Sequence, residues 1–535
     1  MGAPRISLLI TAIGVSIFLQ NLSQLLFSSS AKSMPAMFPN TMLELGTLQI
    51  SSNTLLNIGT SVVMMIALQL LVNKTKMGKA MRATSEDAGA AKLMGINTNS
   101  TIAITFGVGS ALAAVGAVLY CNTFHQITPY MGGMLGLKAF VAAVLGGIGS
   151  IPGAMLGGYI LGVAESLTTA AGGSQITDAV VFGILILVLL IKPAGLLGKN
   201  VREKVEGGGI MKQKKWLSNV IILILVLALY VILSVLIQAN IINPYYSGIL
   251  TMVCINVILA VSLNLATGFL GQLVLGHAGF MSVGAYAAAL FTMYSGLPTM
   301  ASFPLALLIG GIVAAAFGVI IGVPALRLKG DYLAILTLGF GEIIRVLILA
   351  TPFTGGAAGL SGISLLTTFT YVFIVAILTV AVIFAFIHSR HGRAVIAIRE
   401  DEIAAEAAGI HTTYYKLLAF VLAAFFAGIA GGLYAHHIGV LDPSKFDFNY
   451  SVEILIMVVL GGMGSITGSV VAAIVLTLLP ELLRGFSEYR MLIYSIILIC
   501  VMLFKPSGLL GQHEFSLTKI LNKFRGKKAE SKKEA

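Results

Sequence analysis

Apolar residues fall in long blocks along the chain, with polar residues gathered between them. Clear runs cover 5–27, 54–73, 101–121, 178–191, 217–238, 303–325, 371–388, 416–435 and 489–504. At 1.5 Å of rise per helical residue, about 18 to 25 apolar residues cross the roughly 30 Å of hydrocarbon in a bilayer. The stretches 135–170, 245–294, 331–350 and 451–484 are apolar too, but Gly, Pro or charged residues interrupt them. Together the blocks predict an all-α, polytopic transmembrane protein with about 14 spans, give or take two.

Composition agrees. Of 535 residues, 57% are hydrophobic and 10% charged, and the mean hydropathy of +0.97 lies outside the range of soluble domains. Cys121, Cys254 and Cys500 sit in or beside apolar segments, far apart in sequence. They suggest neither a disulfide framework nor a metal cluster. Met1-Gly-Ala-Pro-Arg leads straight into a full-length apolar run with no basic n-region, so the first helix is expected to be retained. The net charge of +12 is concentrated in loops: Lys74 to Arg82, Lys199 to Lys215, Arg390 with Arg393, and Lys519 to Lys533. The positive-inside rule places these four regions on the cytoplasmic side. The basic tail lacks aromatic interleaving, which favours anionic headgroups of membrane lipid over nucleic acid as its neighbour.

The chain repeats itself. Residues 77–96, MGKAMRATSEDAGAAKLMGI, align without a gap to 391–410, HGRAVIAIREDEIAAEAAGI. Leu119-Tyr120 answers Leu433-Tyr434. Leu145-Gly-Gly-Ile-Gly-Ser-Ile-Pro-Gly153 answers Leu460-Gly-Gly-Met-Gly-Ser-Ile-Thr-Gly468, and Lys192-Pro-Ala-Gly-Leu-Leu-Gly198 answers Lys505-Pro-Ser-Gly-Leu-Leu-Gly511. Four blocks in one order at nearly constant offset predict two homologous lobes in parallel, each with its charged loop on the same face. The expected division is lobe one at 1–198, a basic cytoplasmic linker at 199–215, lobe two at 216–511 and a basic cytoplasmic tail at 512–535. Met211-Lys-Gln-Lys-Lys215 before a long apolar run reads like a second start, as in a fusion of two subunits. About 77 residues precede the charged block in lobe one and about 180 in lobe two after Met211, so roughly a hundred residues have no counterpart in lobe one. An upstream extension of the reading frame, or a second permease chain, is expected to supply them.

In the charged block, Glu86, Asp87, Ala90, Ala91 and Gly95 recur as Glu400, Asp401, Ala404, Ala405 and Gly409. Helical spacing ending at a Gly suited to C′ predicts a short cytoplasmic helix in each lobe. A rigid amphipathic helix there suits a groove on a soluble partner; a solvated charged loop is the plainer reading, which the ungapped recurrence disfavours. The stretch 262–287 holds Asn264, Gln272 and His277 among many glycines, too polar for a uniform lipid-facing helix. It stands as a candidate translocation path, with close helix packing by Gly268, Gly271, Gly276 and Gly279 and a satisfied buried His277 as open alternatives. Glu342 and Arg345 are three apart and share a helix face, either paired within the protein or reaching an interface. Gly146-Gly147 and Gly461-Gly462 interrupt apolar runs at matching positions, marking a shared path or tight turns.

The charged block is similar to the coupling loops by which ABC importer permeases engage their ATPases, here in the variant Glu-Asp-x-x-Ala-Ala. Ser262-Leu-Asn-Leu-Ala-Thr-Gly-Phe-Leu-Gly-Gln272, Leu275-Gly-His-Ala-Gly-Phe280, Gly284-Ala-Tyr-Ala287 and Leu326-Arg-Leu-Lys-Gly-Asp-Tyr-Leu-Ala-Ile335 resemble the M-type permease of branched-chain amino acid ABC importers over 211–511. Residues 1–198 resemble the H-type permease of the same system, without the part that would match 262–287. The resemblance implies a multi-pass permease of the bacterial cytoplasmic membrane, working with two ABC ATPase subunits and an extracytoplasmic amino-acid-binding receptor. It implies alternating access driven by ATP and no cofactor. The sequence has no Gly-x-x-x-x-Gly-Lys-Ser/Thr loop to cradle nucleotide phosphates. With no catalytic triad or metal-ligand constellation either, a membrane enzyme is not expected. Related permeases for urea, sugars or nucleosides, and a secondary transporter, remain as alternatives.

Overall fold

The computed structural model describes residues 5–35, 38, 41–45, 48–192, 195–197, 228, 230–239, 241–328, 330–486, 489–509 and 511. The expected linker at 199–215 and tail at 512–535 lie outside them, as does most of the run 217–238. The described chain is almost wholly helical: α1 Arg5–Phe27, α2 Ser52–Lys74, α3 Lys76–Glu86, α4 Ala88–Leu93, α5 Thr98–Phe124, α6 Met131–Gly146, α7 Ile151–Ala170 and α8 Thr177–Ile191 in lobe one. Lobe two contributes α9 Pro244–Asn264, α10 His277–Tyr294, α11 Thr299–Ala325, α12 Asp331–Ala350, α13 Phe369–His388, α14 Arg390–Glu400, α15 Glu402–Ala407, α16 Thr412–Ile438, α17 Phe448–Gly461, α18 Ile466–Leu482 and α19 Arg490–Phe504. Helices α2 to α8 repeat as α13 to α19. Two short antiparallel pairs, Lys32–Ser33 with Gln126–Ile127 and Met42–Leu45 with Leu48–Ser51, belong to lobe one.

Among the described residues nine helices are long and apolar enough to cross a membrane, or ten if α6 and α7, bent by 118°, count as one span. That is fewer than the 14 expected from the sequence. Part of the difference is the run 217–238, most of which lies outside the described residues, and part lies in the second half of each lobe, where one apolar stretch folds into two helices. Helices α17, α18 and α19 have 14, 17 and 15 residues, which at 1.5 Å each fall short of roughly 30 Å.

The chain divides into two compact units. The larger comprises residues 1–19, 163–193 and 201–535, the smaller 20–162 and 194–200. At the centre of the larger unit α9 is enclosed between α13, α16, α17 and α18, which is why its sequence is apolar on every face. Beside it α10, α11 and α16 meet on glycines. A Cβ on Gly284 would lie 2.2 Å from Gly428 Cα, and one on Gly428 would lie 2.6 Å from Gly310 O. Small residues bring the backbones together where lipid offers no hydrophobic drive for association.

Also in the larger unit, the lobes exchange helices reciprocally. Helix α8 of lobe one packs on α12 of lobe two, with Phe182 and Ile186 against Gly339. Gly14 of α1 meets Leu498 and Ile499 of α19 in the same manner. Ile186 and Ile499 each stand six residues before the Lys-Pro of the repeated block, so α1 answers α12 and the unmatched part of lobe two narrows to α9 through α11.

The smaller unit is more open. The most apolar window of α16 is 67% buried, whereas none of the matching window of α5 is. An open groove of about 390 Å³ is lined by Met64 and Leu68 of α2, Leu112 and Val115 of α5, and Ala154 and Met155 of α7. The equivalent helices of lobe two, α13, α16 and α18, hold α9 between them.

Candidate functional site

The charged block begins with a sharp turn. Thr75 and Ser389 cap α3 and α14, their hydroxyls accepting from Gly78 N at 3.0 Å and Gly392 N at 3.2 Å. A Cβ on Gly78 or Gly392 would lie 2.2 Å from a backbone carbonyl oxygen of the preceding helix, so only glycine permits the fold-back. The short helix expected between Asp87 and Gly95, and between Asp401 and Gly409, is present as α4 and α15, and a separate helix precedes each. Glu86 and Glu400 end α3 and α14, and the next residue is extended, with φ of −152° at Asp87 and −157° at Asp401. Asp87 Oδ1 accepts from Gly89 N at 2.8 Å and Ala90 N at 3.0 Å. Asp401 Oδ1 accepts from Ile403 N at 2.9 Å and Ala404 N at 3.0 Å. Each aspartate is thus an N-cap, satisfying otherwise orphaned donors. Gly95 and Gly409, at φ of 80° and 83°, close α4 and α15, with Ile96 N donating to Ala91 O and Ile410 N to Ala405 O, both at 3.0 Å.

Ala91 and Ala405 are buried and anchor these short helices, while Ala90 and Ala404 face out. The outermost apolar groups were not picked out from the sequence: Leu93 is 90% exposed, Met94 82% and Ile403 78%. Each lobe thus holds large apolar side chains out on a capped helix in a basic loop, Leu93 and Met94 in lobe one and Ile403 in lobe two. The only signal available was an apolar residue inside a charged loop. In lobe two α15 is tied down further by Lys416 Nζ, 2.8 Å from Glu402 Oε1.

The Gly-Gly-x-Gly-Ser blocks are the bends between α6 and α7 and between α17 and α18. A Cβ on Gly146 would lie 2.0 Å from Gly153 O, and one on Gly461 2.4 Å from Gly468 O, so the two arms touch through bare backbone. Gly147 and Gly462 have φ of 105° and 111°. Ser150 and Ser465 then cap the second arm by accepting from Gly153 N and Gly468 N. The distant Lys-Pro-x-Gly-Leu-Leu-Gly blocks dock here, Leu196 N donating to Leu145 O at 2.9 Å and Leu509 N to Leu460 O at 2.6 Å.

Helix α9 ends in a π turn, Leu265–Phe269, a form that concentrates at functional sites. Asn264 is fully buried and clamps that turn to the bend of α17–α18, donating through Nδ2 to Ser465 O and accepting from Gly464 N, each at 2.9 Å. Gln272 follows in the irregular stretch before α10, half-buried. His277 is buried at the start of α10, its Nε2 3.0 Å from Ser262 Oγ, which gives it a partner inside the protein. Glu342 and Arg345 form an internal pair, Arg345 Nε to Glu342 Oε2 at 2.8 Å, and Glu342 Oε1 accepts from Phe448 N at the head of α17 at 3.0 Å. The structure therefore brings Asn264 and the Gly461-Gly462 bend together, and holds His277 and Glu342 in separate packing contacts. Gly146-Gly147 occupies the equivalent bend of lobe one.

A family described as branched-chain amino acid transport system / permease component matches residues 3–190 and 245–502. The chain is 41% identical over 297 residues to the high-affinity branched-chain amino acid transport system permease protein LivM of Salmonella typhimurium, across 49% of this chain and 69% of that protein. It is 46% identical over 208 residues to the permease protein BraD of Pseudomonas aeruginosa, across 38% of this chain and 68% of that protein. The permease protein LivH of Escherichia coli is 46% identical over 209 residues, with 38% and 68% covered. No solved structure matches.

Proposed function

Because the chain belongs to the branched-chain amino acid transport system permease family, we propose that it carries leucine, isoleucine and valine inward across the bacterial inner membrane, driven by ATPases on other chains. It is a multi-pass membrane permease, and its sequence has no loop of its own for nucleotide phosphates. Two ABC ATPase subunits dock on α4 and α15, one per lobe, and an extracytoplasmic receptor delivers the amino acid. One observation supports this most: both lobes present a capped six-residue helix with exposed Leu93 and Met94 or exposed Ile403. Such a helix fits a groove on a soluble protein through its face. A secondary carrier has no use for two of them. ATP-driven closure of the ATPase pair moves these helices, and the lobes exchange access from one side to the other.

The test is uptake into proteoliposomes holding this chain, its ATPases and its receptor. ATP-dependent uptake of labelled leucine, with urea and ribose left outside, is the expected result. Uptake of urea or ribose in place of leucine would change the solute, and uptake without ATPases would overturn the class.

A further inference from the structure

Lobe two carries a strut that lobe one does not. Arg399 stands one residue before Glu400 at the end of α14, its side chain mostly covered. Its stem runs against Gly271, where a Cβ would lie 2.8 Å from Arg399 Cγ. Its Nη1 donates to Gly268 O at 3.0 Å, inside the π turn that ends α9. A Cβ on Gly464 would lie 2.9 Å from that same Nη1. Glu400 holds the other arm, with Arg399 Nη2 to Glu400 Oε1 at 2.5 Å.

Carbonyls at a helix C-terminus lack intrahelical donors, and a cation there meets both the free oxygen and the negative end of the helix dipole. Arg399 thus joins the segment that leads into α15 to the broken end of α9. Asn264 joins that end in turn to the bend of α17–α18. In the ungapped repeat the position of Arg399 is Ser85, whose hydroxyl donates to Arg82 O within its own helix. The residue changes in the lobe where the described chain has no counterpart of α9.

We infer that Arg399 is the positioning residue that carries movement of the ATPase-docking segment to the broken helix and to the Gly-Gly-Met-Gly-Ser bend. The inference rests on the docking reading of α4 and α15. Power enters lobe two through this contact and lobe one without it.

The assay reconstitutes the full complex and measures leucine transported per ATP hydrolysed, together with the amount of ATPase that copurifies. Arg399→Ser is expected to keep its ATPases and basal ATP hydrolysis while transport per ATP falls about ten-fold or more, the fold-change that corresponds to one charge-assisted hydrogen bond. Arg399→Lys should recover part of that loss. A second variant keeps the inference open to refutation if Arg399→Ser fails to fold. A Cβ on Gly271 would lie 3.6 Å from Arg399 Cβ, within reach of a disulfide. With Cys121, Cys254 and Cys500 replaced by alanine, Arg399→Cys with Gly271→Cys should couple better oxidised than reduced. Unchanged coupling in Arg399→Ser, or no difference between the two redox states, overturns the inference. Loss of the ATPases from Arg399→Ser also overturns it, by making Arg399 part of the docking face. If the parental complex retains no ATPase, the docking reading fails instead, and the inference fails with it.

Discussion

Removing Glu342 should destabilise the larger unit more than any surface change. Its side chain and that of Arg345 are 4% and 13% exposed, and its second oxygen takes the first N–H of α17. Glu342→Ala leaves Arg345 buried without its partner, a loss of about 3 to 5 kcal/mol for a broken buried pair, and orphans Phe448 N at about 1 kcal/mol or more. Because Arg345 keeps some access to water, the lower end applies, and we expect about 4 kcal/mol. Arg345→Ala should cost about 3 kcal/mol, since Glu342 still receives the Phe448 N–H. The double variant loses both charges at once and should cost less than the two singles together, with a coupling of at least about 2 kcal/mol. Glu342→Gln keeps an acceptor for Phe448 N and should fall between wild type and Glu342→Ala. The measurement is detergent-driven unfolding in mixed micelles, followed by far-UV circular dichroism. Single costs that add to within about 0.5 kcal/mol in the double variant would refute the reasoning.

Three further outcomes are expected. Gly461→Ala should block assembly of the α17–α18 bend, because the added carbon meets Gly468 backbone that has no room to give; monodisperse protein at parental yield on size exclusion would contradict this. Asp87→Ala and Asp401→Ala should each remove about 1 kcal/mol from a cap and weaken ATPase copurification, whereas Asp→Asn at either position should be nearly neutral, since Asn caps as well. A single cysteine at Gly207, in the basic stretch 199–215, should react with an impermeant maleimide in inside-out vesicles; labelling only in right-side-out vesicles would invert the topology.

Much of both units was legible because a bilayer imposes one rule on every residue of a span. The apolar runs 54–73, 101–121 and 371–388 appear as the helices Ser52–Lys74, Thr98–Phe124 and Phe369–His388. Single spans are harder to read where that rule weakens. The runs 135–170 and 451–484 are long enough in sequence to cross, yet glycines at 146 and 461 let two arms touch backbone to backbone, so one apolar run becomes a bent pair. Asp87 and Asp401 were read as charges for a partner, although an Asp opening a short helix is the ordinary mark of a cap. Leu93, Met94 and Ile403 were passed over because hydropathy is blind to which side of a six-residue helix faces away from the protein. The docking of Gly-Leu-Leu-Gly on Gly-Gly-x-Gly-Ser joins Leu196 to Leu145 and Leu509 to Leu460 through backbone groups, and no side-chain pattern reports that.

The repeat also works as an internal control on which residues the extra helices of lobe two require. Where α9 through α11 are present, Arg399 binds the end of α9 and Lys416 holds Glu402. Where lobe one has no match for them, the same positions are Ser85, Ile102 and Ala88. The shared features, by contrast, are those each lobe needs for itself: the capping aspartates, the glycines at positive φ after α4 and α15, and the bend with its docked Gly-Leu-Leu-Gly. A buried lysine or arginine is costly unless paired, so each is tolerated only where its partner exists. Arg399 has its acceptor at the end of α9, whereas Lys416 has its partner Glu402 in α15, and both members of that pair differ together in lobe one. The short helices α4 and α15 themselves remain matched, because their geometry depends on caps and glycines that lie within each lobe.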